Sequence, residues 1–255
     1  MKPVITLLLC TLALRLAAIG AYEPGDTVYV WAVSGLTLRE HPAIQSARLE
    51  VIPYGTALVL QNWSGQHDTK VEAMPKNKIG ETDIPALVLK GDFAQVSYKG
   101  KTGYLFDGYL SKLPVFRIIP AKNQDAAHRE DFTDWATRNF GLLQKTQKGA
   151  VEYGSPFSIK WVFGNGMLQD SWGEKDGNTR ILLPDVSQEE AFLLFNFMTD
   201  YVQSVQIQSN DPKDNPWHFG VIQPDEWYFY TNNCEYTVRY LPREKTALIT
   251  SHCSC

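Results

Sequence analysis

Phe93-Ala94-Gln95-Val96-Ser97-Tyr98-Lys99-Gly100-Lys101-Thr102-Gly103-Tyr104-Leu105-Phe106 decides how the first half of this chain folds. Two alternating runs flank Lys99-Gly100-Lys101, and a period of two turns one side of each run toward a core. A link this short closes a tight antiparallel hairpin. Working back toward the N-terminus, Ala57 to Gln61, Leu36 to Arg39 and Thr27 to Ala32 are further β-type runs. Turn signals at Pro53-Tyr54-Gly55-Thr56 and His41-Pro42 separate them. Several short strands in succession, with almost no helical period, predict a small β barrel over residues 25–114.

Three of these segments carry a family resemblance. Ser34-Gly35-Leu36-Thr37-Leu38-Arg39-Glu40-His41-Pro42 resembles the glycine–leucine–asparagine–x–arginine–x–x–proline opening of bacterial SH3-like (SH3b) domains. Ile52-Pro53-Tyr54-Gly55-Thr56 is similar to that family's central turn. Ala94 to Leu105, followed by Gly108-Tyr109-Leu110-Ser111, is similar to its closing hairpin and final tyrosine–leucine–serine. Thr37 replaces the usual Asn, and Phe93 a common Trp. Residues of about 62–92 form a long insertion, expected to extend a hairpin loop.

The resemblance implies an extracytoplasmic binding module, commonly attached to cell-wall hydrolases, that engages a peptidoglycan fragment, a peptide or an envelope protein. A small barrel binds through a shallow groove lined by aromatic rings. Tyr54, Tyr104 and Tyr109 are therefore candidate ligand contacts, with Tyr29 and Phe106 also available, and Arg39 could pair with a ligand carboxylate. The competing assignment has Tyr104 and Tyr109 packing the closing strand and Arg39 capping a loop carbonyl.

The composition, 44% hydrophobic and 20% charged over 255 residues, is that of a globular protein. With 24 basic and 28 acidic residues the net charge is −4, which argues against a general nucleic-acid binder. Met1-Lys2, the apolar run Val4 to Leu14 and the small residues ending at Gly20 and Ala21 predict a cleaved signal peptide over residues 1–20. That run is too short to span a membrane, and no other stretch approaches the length required. The mature chain is expected to be periplasmic or secreted, with no integral membrane span.

Residues 120–255 predict an α+β domain with an antiparallel sheet and two helices, of no recognisable family. Asp125 to Asn139 reads as the first helix, with Phe132, Trp135, Ala136, Phe140 and Leu143 on one side. His128, Glu130, Asp131 and Asp134 read as its solvated face in preference to a metal site. Pro156 to Phe163, Met167 to Trp172 and Thr179 to Pro184 are strands. Ser187-Gln188-Glu189-Glu190 is a capping box that opens a second helix reaching about Val202. Val205 to Gln208 is a short strand, and Trp227 to Thr231, Glu235 to Tyr240 and Thr246 to Ser251 form a closing meander.

Chemistry is sparse in this half. Phosphate loops, HExxH and the G-x-S-x-G elbow are absent, as is the Asp-Cys-Ser/Gly opening of cell-wall cysteine peptidases. No catalytic residue, metal or cofactor is assigned. Cys234 with His218 or His252 is the best nucleophile candidate, and Cys234 with His252, Cys253 and Cys255 could offer zinc ligands. A disulfide is the stronger reading.

Without Cys10 in the signal, three of the four cysteines remain in an oxidising compartment. A four-residue loop, Pro242 to Lys245, pairs Leu241 with Thr246, sets Val238 against Ile249 and brings Cys234 opposite Cys253. Cys255 is the competing partner. The function expected is an exported binding protein that does not turn its ligand over. The alternatives are an envelope hydrolase targeted by the barrel, and an assembly factor that binds through strand edges.

Overall fold

The computed structural model describes residues 22–63, 69–79, 82–120, 128–202, 218–231 and 233–254. The signal peptide expected at 1–20, the strand expected at Val205–Gln208 and Cys255 lie outside these residues. Among the described residues the protein is mainly β, with antiparallel sheets and two complete α-helices.

The N-terminal strands are β1 (Thr27–Val30), β2 (Leu36–Arg39), β3 (Arg48–Ile52), β4 (Ala57–Trp63), β5 (Thr69–Met74) and β6 (Asn77–Ile79). They continue with β7 (Thr82–Ile84), β8 (Leu87–Gly91), β9 (Phe93–Tyr98), β10 (Lys101–Phe106) and β11 (Leu110–Ser111). Seven form one sheet in the order β11-β1-β4-β9-β10-β2-β3. The barrel expected from the sequence is not closed, because β11 and β3 are edges and no ladder joins them among the described residues.

The deciding hairpin forms, with a link one residue shorter than Lys99-Gly100-Lys101 because Lys101 joins the strand. Tyr98 pairs with Lys101 across Lys99-Gly100, whose φ angles of 49° and 77° are the left-handed pair that suits the twist of a two-residue hairpin. Val28, Leu38, Ile52, Leu60, Val96 and Leu105 bury the inner face. The insertion is the expected hairpin extension, a β5–β8 ladder enclosing a β6–β7 pair.

The chain then runs through β12 (Ile118–Ile119), β13 (His128–Arg129), α1 (Phe132–Phe140), β14 (Leu142–Lys148), β15 (Phe157–Phe163) and β16 (Leu168–Gly173). It ends with β17 (Gly177–Pro184), α2 (Gln188–Thr199), β18 (His218–Gln223), β19 (Glu226–Tyr230), β20 (Cys234–Leu241) and β21 (Thr246–Cys253). Eight strands pair antiparallel in the order β14-β15-β16-β17-β21-β20-β19-β18.

The first helix is shorter than the periodicity predicts. Asp131 caps it by accepting the Asp134 amide at 2.8 Å, while His128-Arg129 pairs with Ile118-Ile119 instead of coiling. Gly141, at φ 73°, ends α1, and Leu143 passes to the edge strand β14, where it is 71% exposed. Glu130 does not belong to a solvated face. It is buried, takes two hydrogen bonds from Arg138 at 2.8 and 2.5 Å, and accepts the Arg117 amide at 2.9 Å. The arginine holds its carboxyl below the usual range. The Ser187–Glu190 capping box is present, and α2 stops at Thr199 because Asp200 turns left-handed at φ 55°.

Ile159, Phe163, Ile181, Leu183, Val238 and Ile249 face the helices, and Trp135, Phe192 and Phe195 fill the space between. That cluster continues into the N-terminal half through Trp31, Leu89, Phe93 and Phe106. The two large sheets thus meet in this cluster, while the first sheet keeps a second core of its own.

Candidate functional site

A cleft of about 890 Å³ opens where the β1–β2 connection, β5 and the C-terminal part of α2 meet. This is within the range of small-ligand sites, roughly 300–1,000 Å³. Arg39 and Tyr109 both line it, beside Trp31 and Phe106. Arg39 ends β2, and its Nη1 donates to the Ser46 carbonyl at 2.8 Å, so it caps a loop while lining the cleft. Tyr109 sits in the 3-10 turn before β11 with its ring edge-on to Phe106 at 6.1 Å, and burial pushes its hydroxyl up.

The other two candidates are elsewhere. Tyr104 pairs with Arg39 across the β10–β2 ladder, and its hydroxyl accepts from Gln95 at 3.3 Å, but it does not line the cleft. Tyr54 donates to the Phe116 carbonyl at 3.2 Å and stacks on Phe197, and burial pushes its hydroxyl up strongly. The structure therefore unites two of the four.

The α2 wall is not legible in the sequence. Arg129 joins it through an ion pair with Asp200 at 2.8 Å, a hydrogen bond to the Phe197 carbonyl and a position 4.6 Å from the Phe197 ring. Asp200 offsets the Arg129 charge. Arg39, Lys70 and Glu72 make up the remaining charge of the lining, a small positive excess.

A second cleft of about 730 Å³ lies against the first turn of α2. Asp107 and Glu189 line it from opposite halves of the chain. Asp107 is fully buried. Its Oδ1 accepts the Asp92 amide at 2.8 Å, its Oδ2 accepts Trp63 Nε1 at 3.1 Å, and burial pushes its carboxyl up to about 8. Burial also raises Glu189. Asp107 follows the closing hairpin directly and reads in sequence as an ordinary turn residue.

Cys234 and Cys253 form a disulfide, S–S 2.08 Å, in the predicted register of Cys234 with Cys253, Val238 with Ile249 and Leu241 with Thr246. The bond consumes the candidate nucleophile and two of the thiolates a zinc site would need. His252 instead meets Asn178 Oδ1 through Nδ1 at 2.9 Å. Among the described residues no helix is long and apolar enough to cross a membrane. Comparison with protein families, characterised proteins and solved structures returns no match for this chain.

Proposed function

We propose that this is an exported binding protein in which an SH3b-like module over residues 25–114 precedes an α+β domain over 120–255. Its ligand is a peptide or a wall-derived fragment held in the 890 Å³ cleft. One observation carries the reading: Arg39 and Tyr109, from two separate family-like motifs, share the wall of a cleft of ligand size. Arg39, steadied by Ser46, meets a ligand carboxylate, while Tyr109, half-buried against Phe106, supplies apolar ring surface. The disulfide is consistent with an oxidising compartment, and it leaves Cys234 no thiolate with which to attack.

The test is retention of the mature protein on purified peptidoglycan and on its soluble stem peptides. Arg39→Ala should weaken retention about tenfold or more at a temperature where the variant remains folded, as for loss of a charge-assisted pair. Absence of retention on every one of these would refute the proposal.

The envelope-hydrolase reading draws on the second cleft, where Asp107 and Glu189 both have raised pKa values, as a general acid requires. Release of soluble fragments that is lost in Glu189→Gln would put that reading first.

A further inference from the structure

The eight-stranded sheet buries one face under the helices and turns the other outward. Its register carries one row of side chains across the outer face. Trp172 pairs with Asn178, Asn178 with His252, His252 with Glu235, and Glu235 with Tyr230. Ladder partners share a face, and the buried Ile181, Ile249, Val238 and Phe229 stand at the opposite parity on four of the same strands. Trp172 is 40% exposed, His252 and Glu235 are exposed, and Asn178 and Tyr230 are half-buried. Four interstrand steps separate the two aromatic ends, about 19 Å.

Charge of both signs is mixed on this face, where Lys160 stands opposite Asp170 and Arg239 opposite Glu226 in the ladders. Arg180 pairs with Asp170 at 2.6 Å and lies 5.9 Å from the Trp172 ring. The Tyr228 hydroxyl hydrogen-bonds Glu235, and His252 is joined to Asn178.

We propose that the row from Trp172 to Tyr230 is a binding track for an uncharged, extended polysaccharide. The exposed Trp172 offers ring surface to the apolar face of a sugar ring, and the amide, imidazole, carboxylate and phenol that follow it along the row are donors and acceptors for hydroxyl groups. A polyanion or polycation would need a field of one sign, whereas this face interleaves Lys160, Asp170, Arg180 and Glu235. A folded protein partner would need an apolar centre, and this row is polar in the middle. A sugar unit is about as long as one interstrand step, so an extended chain meets each strand in turn. The track lies on the C-terminal sheet and does not rest on the cleft proposed above.

Calorimetric titration of the full mature chain with chitotetraose and with cellotetraose tests this. Saturable binding of at least one is expected, weakened about tenfold or more by Trp172→Ala and unaffected by Arg39→Ala. If Trp172→Ala lowers the melting temperature, His252→Ala, at an exposed site, replaces it with the same expected direction. The proposal is overturned if neither oligosaccharide binds at millimolar concentration, or if binding survives both track substitutions unchanged.

Discussion

The rings of Tyr54 and Phe197 stack face to face, with centroids 5.3 Å apart and planes within 1° of parallel. Tyr54 comes from the turn between β3 and β4 and Phe197 from α2. The column continues through Phe116, 5.2 Å from Phe197, to Trp135, 4.7 Å beyond. Trp31 meets both Phe116 and Phe197 edge-on. A residue that reads as a groove aromatic is thus part of the seam between the two halves.

Tyr54→Ala should therefore cost about 3 kcal/mol of stability, because it removes a ring from a packed stack. Tyr54→Phe, which loses only the bond to the Phe116 carbonyl, should cost about 1 kcal/mol. Urea denaturation of the two variants checks both figures. Parent-like stability in Tyr54→Ala would return the ring to the ligand candidates.

The seam has a polar counterpart. Glu190 completes the capping box with Oε2 on the Ser187 amide at 3.1 Å, and its Oε1 accepts the Ser111 hydroxyl at 2.6 Å and the Tyr22 hydroxyl at 3.4 Å. Ser111→Ala leaves a buried carboxylate oxygen with a weaker shell and should cost about 1.5–3 kcal/mol. Thermal melts that place the loss below about 0.5 kcal/mol would show that this bond does not hold the halves together.

Asp107 predicts a pH dependence with a definite sign. Its folded pKa of about 8 exceeds the ordinary 3.8, so its contribution to stability is complete below about pH 4 and falls away as pH rises toward 8. Glu189 acts in the same direction. An amide at position 107 cannot ionise. The stability of Asp107→Asn relative to the parent should therefore improve steadily between about pH 5 and pH 8. Denaturant midpoints across that range give the answer, and a difference that does not vary with pH would mean the carboxyl is already ionised.

The disulfide closes the β20–β21 hairpin at its open end. Cys234→Ser should cost on the order of 3 kcal/mol under oxidising conditions and little in the presence of reductant. Non-reducing peptide mapping with fragmentation should place the bond at Cys253. A bond from Cys234 to Cys255 would contradict this pairing.

What the sequence determined by itself is local. Alternation in Phe93–Phe106 and the glycine at Gly100 are enough for a hairpin, since both act on adjacent residues. Ser187 and Glu190 satisfy each other's amides within one turn, so α2 could be started from sequence. The Cys234–Cys253 register follows from loop length and side-chain parity over one hairpin.

The tertiary structure decided the rest. Leu142–Lys148 became a strand because β15 offered an unpaired edge, although its residues are all exposed and carry no alternation. The first sheet stayed open, with Trp31, Phe93 and Phe106 joining Phe116 and α2 in one cluster. Arg39 and Phe197 face one cleft, and Asp107 and Glu189 another, although each pair is far apart in the chain. No local pattern encodes such pairs. They form when apolar surface left over on each sheet is buried against the other half, and burial then sets the environment of every polar group caught at the seam.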